Sequence, residues 1–572
     1  MGACSSSSQR ESVRLEHPQH APMWVLAVEH VLGMRGTLQS HQALQAQGLI
    51  VKWALGMLTI FVSHQWLGRH HPDPDGKRLQ VLQGLLKNLM AKKLRIETDL
   101  VSQFHGLRVT EEGLGDVAEG YVWLDYFCVP QLSDGLAGPE VADEQLLYIE
   151  SIPSYVDLCQ VFLALVPKAV HHDTGASCSF QSWLERGWCR TELWCRNLST
   201  KSQLPIVVVN SDDEAHFTSP QWHQYPVHTG LFAVEEDRVA CSLVVHRTLN
   251  KYISDLNFPE TKVTYRLYTS LFEEITGLAS KRRSLETFLQ ELDFAEPVEQ
   301  HAGLGPVACA ALAGDHELIR SLVNAKASVQ TRAPEIPEVF NIADLTPLHL
   351  ALWFRSPDLK VLETLLELRA DPNSSTATAA PPLGFSRTVA ALELLVQQKA
   401  DVNYQGELVP QYCPIHIVSA FGAPSEVLTR LLQLRADVRG GRGGNASASP
   451  LHLVALSGGS CNDLRNARLL LEARADMNQR CEPEGLMRLL EVIARGLSPL
   501  MMGRAPGIVS FCSDMSATPL GWCAFLDNEP LLSFLLRARA SVELRNHRGL
   551  RPLDMASSTR IAALLREPDD KR

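Results

Sequence analysis

The sequence predicts two architectures in tandem: an α/β doubly wound parallel sheet, and after it an all-α solenoid of repeats. Three observations carry this. The chain has 572 residues, too many for one hydrophobic core, so about two to four domains are expected. Between residues 58 and 210, short continuous apolar runs alternate with stretches of helical periodicity. Continuous rather than alternating runs belong to strands buried on both faces, as in a parallel sheet covered by helices. From residue 305 onward two phrases recur in fixed order, the mark of stacked units.

Residues 1–22 are Ser-rich without apolar periodicity and are expected to be a disordered tail. Its start, Met1-Gly2-Ala3-Cys4-Ser5-Ser6, fits the N-myristoylation pattern, with Gly2 as acceptor and Cys4 placed for a palmitate. One acyl chain holds a membrane only marginally and two hold it stably, so peripheral membrane contact through this tail is an expectation. Residues 23–57 read as a helical lead-in, with Trp24, Leu26, Val28, Val31 and Leu32 on its apolar stripe. The most apolar run, Leu49–Val62, is too short to span a bilayer and contains Lys52; it reads as a buried helix entering a strand.

The α/β domain is expected over 58–210. Its strands are Leu58–Ser63, Gly120–Val129, Gln160–Val166 and Leu204–Val209, each β-branched or aromatic and bounded by polar turns. Lys77–Leu94 carries Leu79, Leu82, Leu85, Leu86, Leu89 and Met90 at helical spacing. Glu144–Cys159 is helical with a step at Pro153, and Ser182–Leu198 is a further helix. Arg95–Gly120 gives no clear pattern. Residues 211–304 read as a helical linker, notably Tyr265–Leu278 and Lys281–Leu292.

Composition narrows the function. Net charge is −11 with no long basic run, which argues against a nucleic-acid partner. Thirteen cysteines without framework spacing, and no secretory signal, point to reduced thiols in the cytoplasm. No GxxxxGK[ST] occurs, and no GxGxxG stands between a strand and a helix, so neither a P-loop NTPase nor an ordinary dinucleotide-binding dehydrogenase is indicated. The glycines of Gly440–Asn445 follow no strand and read as a flexible loop. His171, His172, Cys178, Cys189 and Cys195 match no short zinc pair, and no metal site or cofactor is expected.

The stretch Ser182–Arg196 crowds Trp183, Trp188, Trp194, Cys189 and Cys195 around one carboxylate, Glu192. Trp188 and Glu192 are four apart and share a helical face. A carboxylate beside indole rings is partly desolvated, so its pKa should rise. In open α/β sheets, ligands sit beyond the carboxyl ends of the strands. Ser63, His64 and Trp66 after the first strand, Asp125 and Gln131 at the end of the second, and Glu192 with Trp188 are therefore expected to gather there.

In the second half, Thr346-Pro347-Leu348-His349 recurs as Cys413-Pro414-Ile415-His416 and Ser449-Pro450-Leu451-His452, and more weakly at Thr518 and Arg551. A second phrase follows, with copies ending at Val329, Asn373, Asn403, Val438, Asn478 and Val542. These phrases resemble ankyrin repeats over 305–567, with six or seven units and an insertion or eroded repeat at Gln479–Ala517. The resemblance implies a protein partner. It usually places Gly before Ala-Asp, where the helix ends left-handed; Lys326, Arg369, Lys399, Arg435, Arg474 and Arg539 stand there instead. A row of basic side chains along one edge is expected, at about 1 kcal/mol of backbone cost per unit, partly recovered through the helix dipole.

In the first half, Trp188-Cys189-Arg190-Thr191-Glu192-Leu193 resembles the W-C-x-x-E-L phrase of Toll/interleukin-1 receptor (TIR) domains, and Phe61-Val62-Ser63-His64 their first strand. Trp123–Gln131 resembles the corresponding phrase of fungal heterokaryon-incompatibility domains, which share that flavodoxin/TIR-like fold. Two functions are implied. One is a self-associating signalling adaptor carried by an ankyrin scaffold. The other is NAD⁺ glycohydrolysis, with NAD⁺ as substrate and Glu192 as the catalytic carboxylate that stabilises an oxocarbenium-like state.

Overall fold

The computed structural model describes residues 17–94, 96–98, 116, 118–131, 139–199, 206–218, 224–256, 259–279, 283–298, 303–336, 342–355, 358–405, 412–439, 448–457, 463–500 and 507–566. Gly2, Cys4, the stretch 440–445 and most of 95–120 lie outside these residues. The chain divides into two compact units. One is drawn from the segments up to Ser254 together with Ile275–Leu278, the other chiefly from Asp255–Glu274 and Ala279 onward.

The first unit is built on strands β1 (Trp24–Ala27), β2 (Ile50–Lys52), β3 (Thr59–His64), β4 (Glu97–Thr98), β5 (Tyr121–Leu124), β6 (Val161–Leu165), β7 (Ala169–Val170), β8 (Ser177–Cys178), β9 (Ile206–Val209) and β10 (Ala215–Thr218). Eight of them form one sheet in the order β2-β1-β5-β3-β6-β9-β10-β4, and β7 and β8 form a separate pair. The centre, β5-β3-β6-β9, is parallel throughout. Its strands are the four apolar runs. All six residues of β3 are buried, so both of its faces are covered. Phe61 is in register with Trp123 on one side and Phe162 on the other. The rings stack with centroids 4.3 and 5.1 Å apart, and Trp123 meets Tyr155 of helix Ile152–Leu158. The leucine stripe of helix Lys77–Met90 joins the same core.

The edges depart from the sequence reading. The sheet is mixed: β1 runs antiparallel to both β2 and β5, and β10 antiparallel to β9. The lead-in 23–57 is therefore not wholly helical. Trp24–Ala27 is a strand that passes directly into helix Val28–Gly33, and Ile50–Lys52 is an edge strand. A four-residue apolar run cannot be assigned by period alone, and here pairing decides it. The strand expected over Gly120–Val129 stops at Leu124, and Asp125–Cys128 forms a helical turn. The expected step near Pro153 occurs at Ser151, between helices Pro139–Glu150 and Ile152–Leu158. Ser182–Leu198 is two helices, Phe180–Glu185 and Gly187–Asn197, broken where Arg186 is extended (φ −78°, ψ 128°). The segment 211–304 is not a purely helical linker. β10 joins the sheet between β9 and β4, helix Asp237–Asp255 lends Val244 to the first core, and helix Lys262–Ser270 lies in the second unit.

The second unit stacks helix pairs. Among the described residues they are Pro306–Ala313 with His316–Asn324, Pro347–Phe354 with Leu359–Glu367, and a 3₁₀ turn Pro382–Phe385 with Val389–Gln397. Pro414–Ala420 with Ser425–Gln433, Pro450–Leu456 with Asp463–Glu472, Pro519–Phe525 with Glu529–Arg537, and Pro552–Met555 with Thr559–Arg566 complete seven. The stretch 479–517 holds two further helices, Gly485–Leu500 and Gly507–Asp514.

Each recurring Pro sits at the first helical turn, where its missing N–H costs nothing. The His three residues after the cap turns back. Nδ1 of His349, His416 and His452 accepts from the backbone N–H of Thr346, Cys413 and Ser449 at 3.1–3.2 Å. With Nδ1 accepting, Nε2 must carry the proton. It donates to Ala380 O at 3.2 Å from His349 and to Ala517 O at 3.1 Å from His452. His349 and His452 thus join their own caps to the following segment of the array.

Candidate functional site

β3 delivers Ser63 and His64 at its carboxyl end, and the chain then turns through Gln65 to Trp66. β5, in register beside it, ends at Leu124, which places Asp125 first in the next helical turn. The Asp125 carboxylate receives three donors. His64 Nε2 lies 2.8 Å from Oδ1, Trp66 Nε1 donates to Oδ2 at 2.8 Å, and Tyr126 N–H donates to Oδ1 at 2.6 Å. Its side chain is 34% exposed while His64 is sealed at 1%, so Asp125 is the solvent-facing end of the pair. Burial pushes the Asp125 carboxyl up. His64 and the three hydrogen bonds outweigh that and hold it below the ordinary carboxylate value. His64 Nδ1 is buried with no partner among the described residues.

Glu192 enters from helix Gly187–Asn197 and is only 9% exposed. The Ser63 hydroxyl donates to its Oε2 and accepts from Trp183 Nε1 at 2.9 Å. Burial lifts the Glu192 carboxyl to about 8. The Ser63 hydrogen bond opposes the rise and the nearby Asp125 charge adds to it. At pH 7 the group is therefore protonated by roughly ten to one. The site holds one ionised carboxylate near the surface and one neutral carboxyl beneath it.

Two expected members do not join. Trp188 is half-buried and donates to Asp237 Oδ2 at 3.0 Å rather than lining Glu192. Gln131 folds onto its own turn, donating to Val129 O at 2.8 Å and Asp125 O at 3.3 Å, and so braces the backbone of Asp125 from behind. The residue that meets Ser63 is Trp183, on the shorter helix before the Arg186 break. Its signal in the sequence is Ser179 and Ser182, three apart, which form a capping box that fixes that helix. Gln65 adds a second tie by accepting from Ser182 at 2.7 Å.

In the solenoid, the six basic residues before Ala-Asp or Ala-Ser are all left-handed, with φ between 65° and 76°, and all exposed. Beside this edge runs a ladder of asparagines. Asn373 donates to Lys399 O at 3.0 Å and accepts from Asp401 N at 2.8 Å; Asn403 does the same with Arg435 O at 3.1 Å and Asp437 N at 2.8 Å. Asn478 accepts from Ser541 N at 2.8 Å across the insertion. At these three junctions neighbouring repeats are stapled together by groups the repeat phrase itself supplies.

Residues 344–377 match the family model of the ankyrin repeat. No curated protein matches the chain. Among solved structures, the crystal structure of the human ASB11 ankyrin repeat domain is similar at 19% identity, over 46% of this chain and 99% of that one, with a TM-score of 0.32. The stacked pairs, the cap histidines and the matched residues identify the C-terminal part of this chain as an ankyrin-repeat solenoid, the architecture of a protein-interaction scaffold.

Proposed function

We propose that this chain is a scaffold whose ankyrin array holds a protein partner while its α/β unit, TIR-like in its motifs, self-associates as a cytoplasmic signalling adaptor. The observation that carries this reading is the state of Glu192. The carboxyl at the W-C-x-x-E position is buried against Ser63 and neutral at physiological pH, which suits a brace holding strand to helix. The strand order of the parallel centre, with the second strand outside the first, supports the flavodoxin-like reading. Acylation at Gly2 and Cys4 would add a tether to the cytoplasmic face of a membrane, and intact mass of protein from a eukaryotic host tests it directly. The adaptor reading is tested by sedimentation velocity of the full chain over a concentration series. Reversible association that disappears when surface residues of the α/β unit are changed supports it; a monomer at every concentration removes the self-association.

A specific observation favours a second reading. Ser63, His64, Asp125 and Glu192 gather at the carboxyl ends of β3 and β5, the edge where open α/β sheets receive ligands. The reaction is NAD⁺ and water to nicotinamide, ADP-ribose and a proton. The pyridinium leaves without a general acid, and an ionised Glu192 steadies the ribosyl cation. Because Glu192 ionises only near pH 8, such activity would rise from pH 6.5 to 8.5. Trp66 remains a candidate ring for stacking; Trp188 is turned towards Asp237.

A further inference from the structure

Trp183 and Glu192 both hydrogen-bond Ser63, yet they are nine residues apart. At 100° per residue an unbroken helix would turn them to opposite faces. The break at Arg186 is what brings both to one hydroxyl. The stretch 180–197 contains no proline and one glycine, Gly187, so its own residues do not impose that break. An unbroken helix would close three bonds across it: Gly187 N to Trp183 O, Trp188 N to Leu184 O and Cys189 N to Glu185 O. Each is diverted. Gly187 N donates to Leu231 O at 2.9 Å and Leu231 N donates to Glu185 O at 2.7 Å, a parallel bridge between Arg186 and Leu231. Arg190 Nε donates to Leu184 O at 2.6 Å. The N–H groups of Trp188 and Cys189 have no acceptor among the described residues.

The diverting groups belong to residues 225–232 or are held by them. Arg190 Nη1 donates to Pro226 O at 2.8 Å and to Thr229 Oγ1 at 2.7 Å, and Trp194 Nε1 donates to Tyr225 O at 3.0 Å. A Cβ on Gly187 would fall 2.0 Å from the Phe232 ring, so only glycine lets the segment lie this close. Arg238, in helix Asp237–Asp255, ties the segment down through His228 O and Gly230 O. Val227 is sealed, but Leu231 is 57% exposed, so at the break itself the segment is held by backbone bonds and not by burial. We propose that residues 225–232 are a strap that keeps this stretch as two helices, and that displacing the strap lets the two fuse and parts Glu192 from Ser63. The backbone bonds lost at the strap are replaced by bonds inside the fused helix, so the two forms are close in hydrogen bonding, as a bistable element requires. The fused form cannot keep Trp183 and Glu192 on one hydroxyl. The strap would act in this way whether the α/β unit serves as an adaptor or as a hydrolase.

The test is hydrogen exchange resolved to single amides in the full chain. L231P removes the N–H that meets Glu185 O. Leu231 is exposed, and Gly230, at φ −68° and ψ 159°, already has the extended backbone that precedes a proline. In L231P the Trp188 and Cys189 amides should exchange about tenfold more slowly than in the wild type, because fusion gives them acceptors, while the amides of β3 are unchanged. Adding R186P, whose ring fits the φ of −78° but cannot sit inside a continuous helix, should return both amides to the wild-type rate. Unchanged exchange at these two amides in L231P, or faster exchange throughout 180–197, overturns the proposal. Should L231P lose the circular dichroism of a folded chain, R238A, whose replaced side chain is 30% exposed, loosens the strap from its other end and is held to the same outcomes.

Discussion

Glu192 and Asp125 show how two carboxyl groups at one sheet edge are driven apart. Asp125 stands at the surface with three donors and stays ionised; Glu192 stands below it with one hydroxyl and stays neutral. The rise in Glu192 was expected from the indoles around it; its cause is burial, and the indole tied to it, through Ser63, is Trp183 rather than Trp188. The i, i+4 spacing is real, but helix rotation turns Trp188 to Asp237, and no pattern in the sequence announced the break at Arg186. The linkage has a definite sign. The folded pKa of Glu192, about 8, lies above its ordinary 4.5, so the native state binds the extra proton between those values. Stability from this group is complete below pH 4.5 and is lost as pH rises through 8. E192Q keeps the shape without the proton. It should leave stability near the wild type at pH 5 and exceed it by a few kcal/mol at pH 9, measured by urea unfolding. An equal effect at both pH values would mean that Glu192 is not buried neutral.

At the scale of elements, the parallel centre was legible because strands buried on both faces must be apolar throughout. The edges were not. β1, β2 and β4 have two to four residues, and their identity rests on pairing with distant partners that no local window contains. The repeats were legible through two phrases, and the structure gives each phrase its work. The left-handed residue at the end of the second helix is strained in the same way at Lys326, Arg369, Lys399, Arg435, Arg474 and Arg539. R435G should therefore raise stability by about 0.5–1 kcal/mol, since relief of the backbone exceeds the loss of an exposed charge near a helix end. N403A removes one donor and one acceptor between neighbouring repeats and should cost about 1–2 kcal/mol. Chemical denaturation of the full chain checks both; a destabilising R435G would show that the cation is held by contacts beyond its own turn.

Across the whole molecule, the buried glutamate of one unit and the buried cap histidines of the other are expected to respond to pH with opposite sign. In the array, burial lowers His349 to about 3 and His416 and His452 to about 4, against an ordinary 6.5. Each is needed neutral, because Nδ1 accepts from a backbone N–H. Their stability is present above pH 6.5 and is lost as pH falls below it. Hydrogen exchange resolved by segment should therefore show the array opening as pH drops from 7 to 5, while the Ser63–Glu192 region opens as pH climbs from 7 to 9. Parallel responses in the two would contradict the assignment of either set of buried groups. Taken as a whole, the chain joins a repeat array made for contact to a sheet whose conspicuous glutamate is held in a structural bond. No helix among the described residues is long and apolar enough to cross a membrane.

The most direct measurement is release of nicotinamide from NAD⁺ by the purified full chain, alone and crowded on beads, at pH 7 and pH 8.5. An adaptor in which Glu192 serves as a brace predicts no release above that of E192Q in any condition. Release that appears on crowding, grows towards pH 8.5 and vanishes in E192Q would contradict it and make the glutamate a catalytic group.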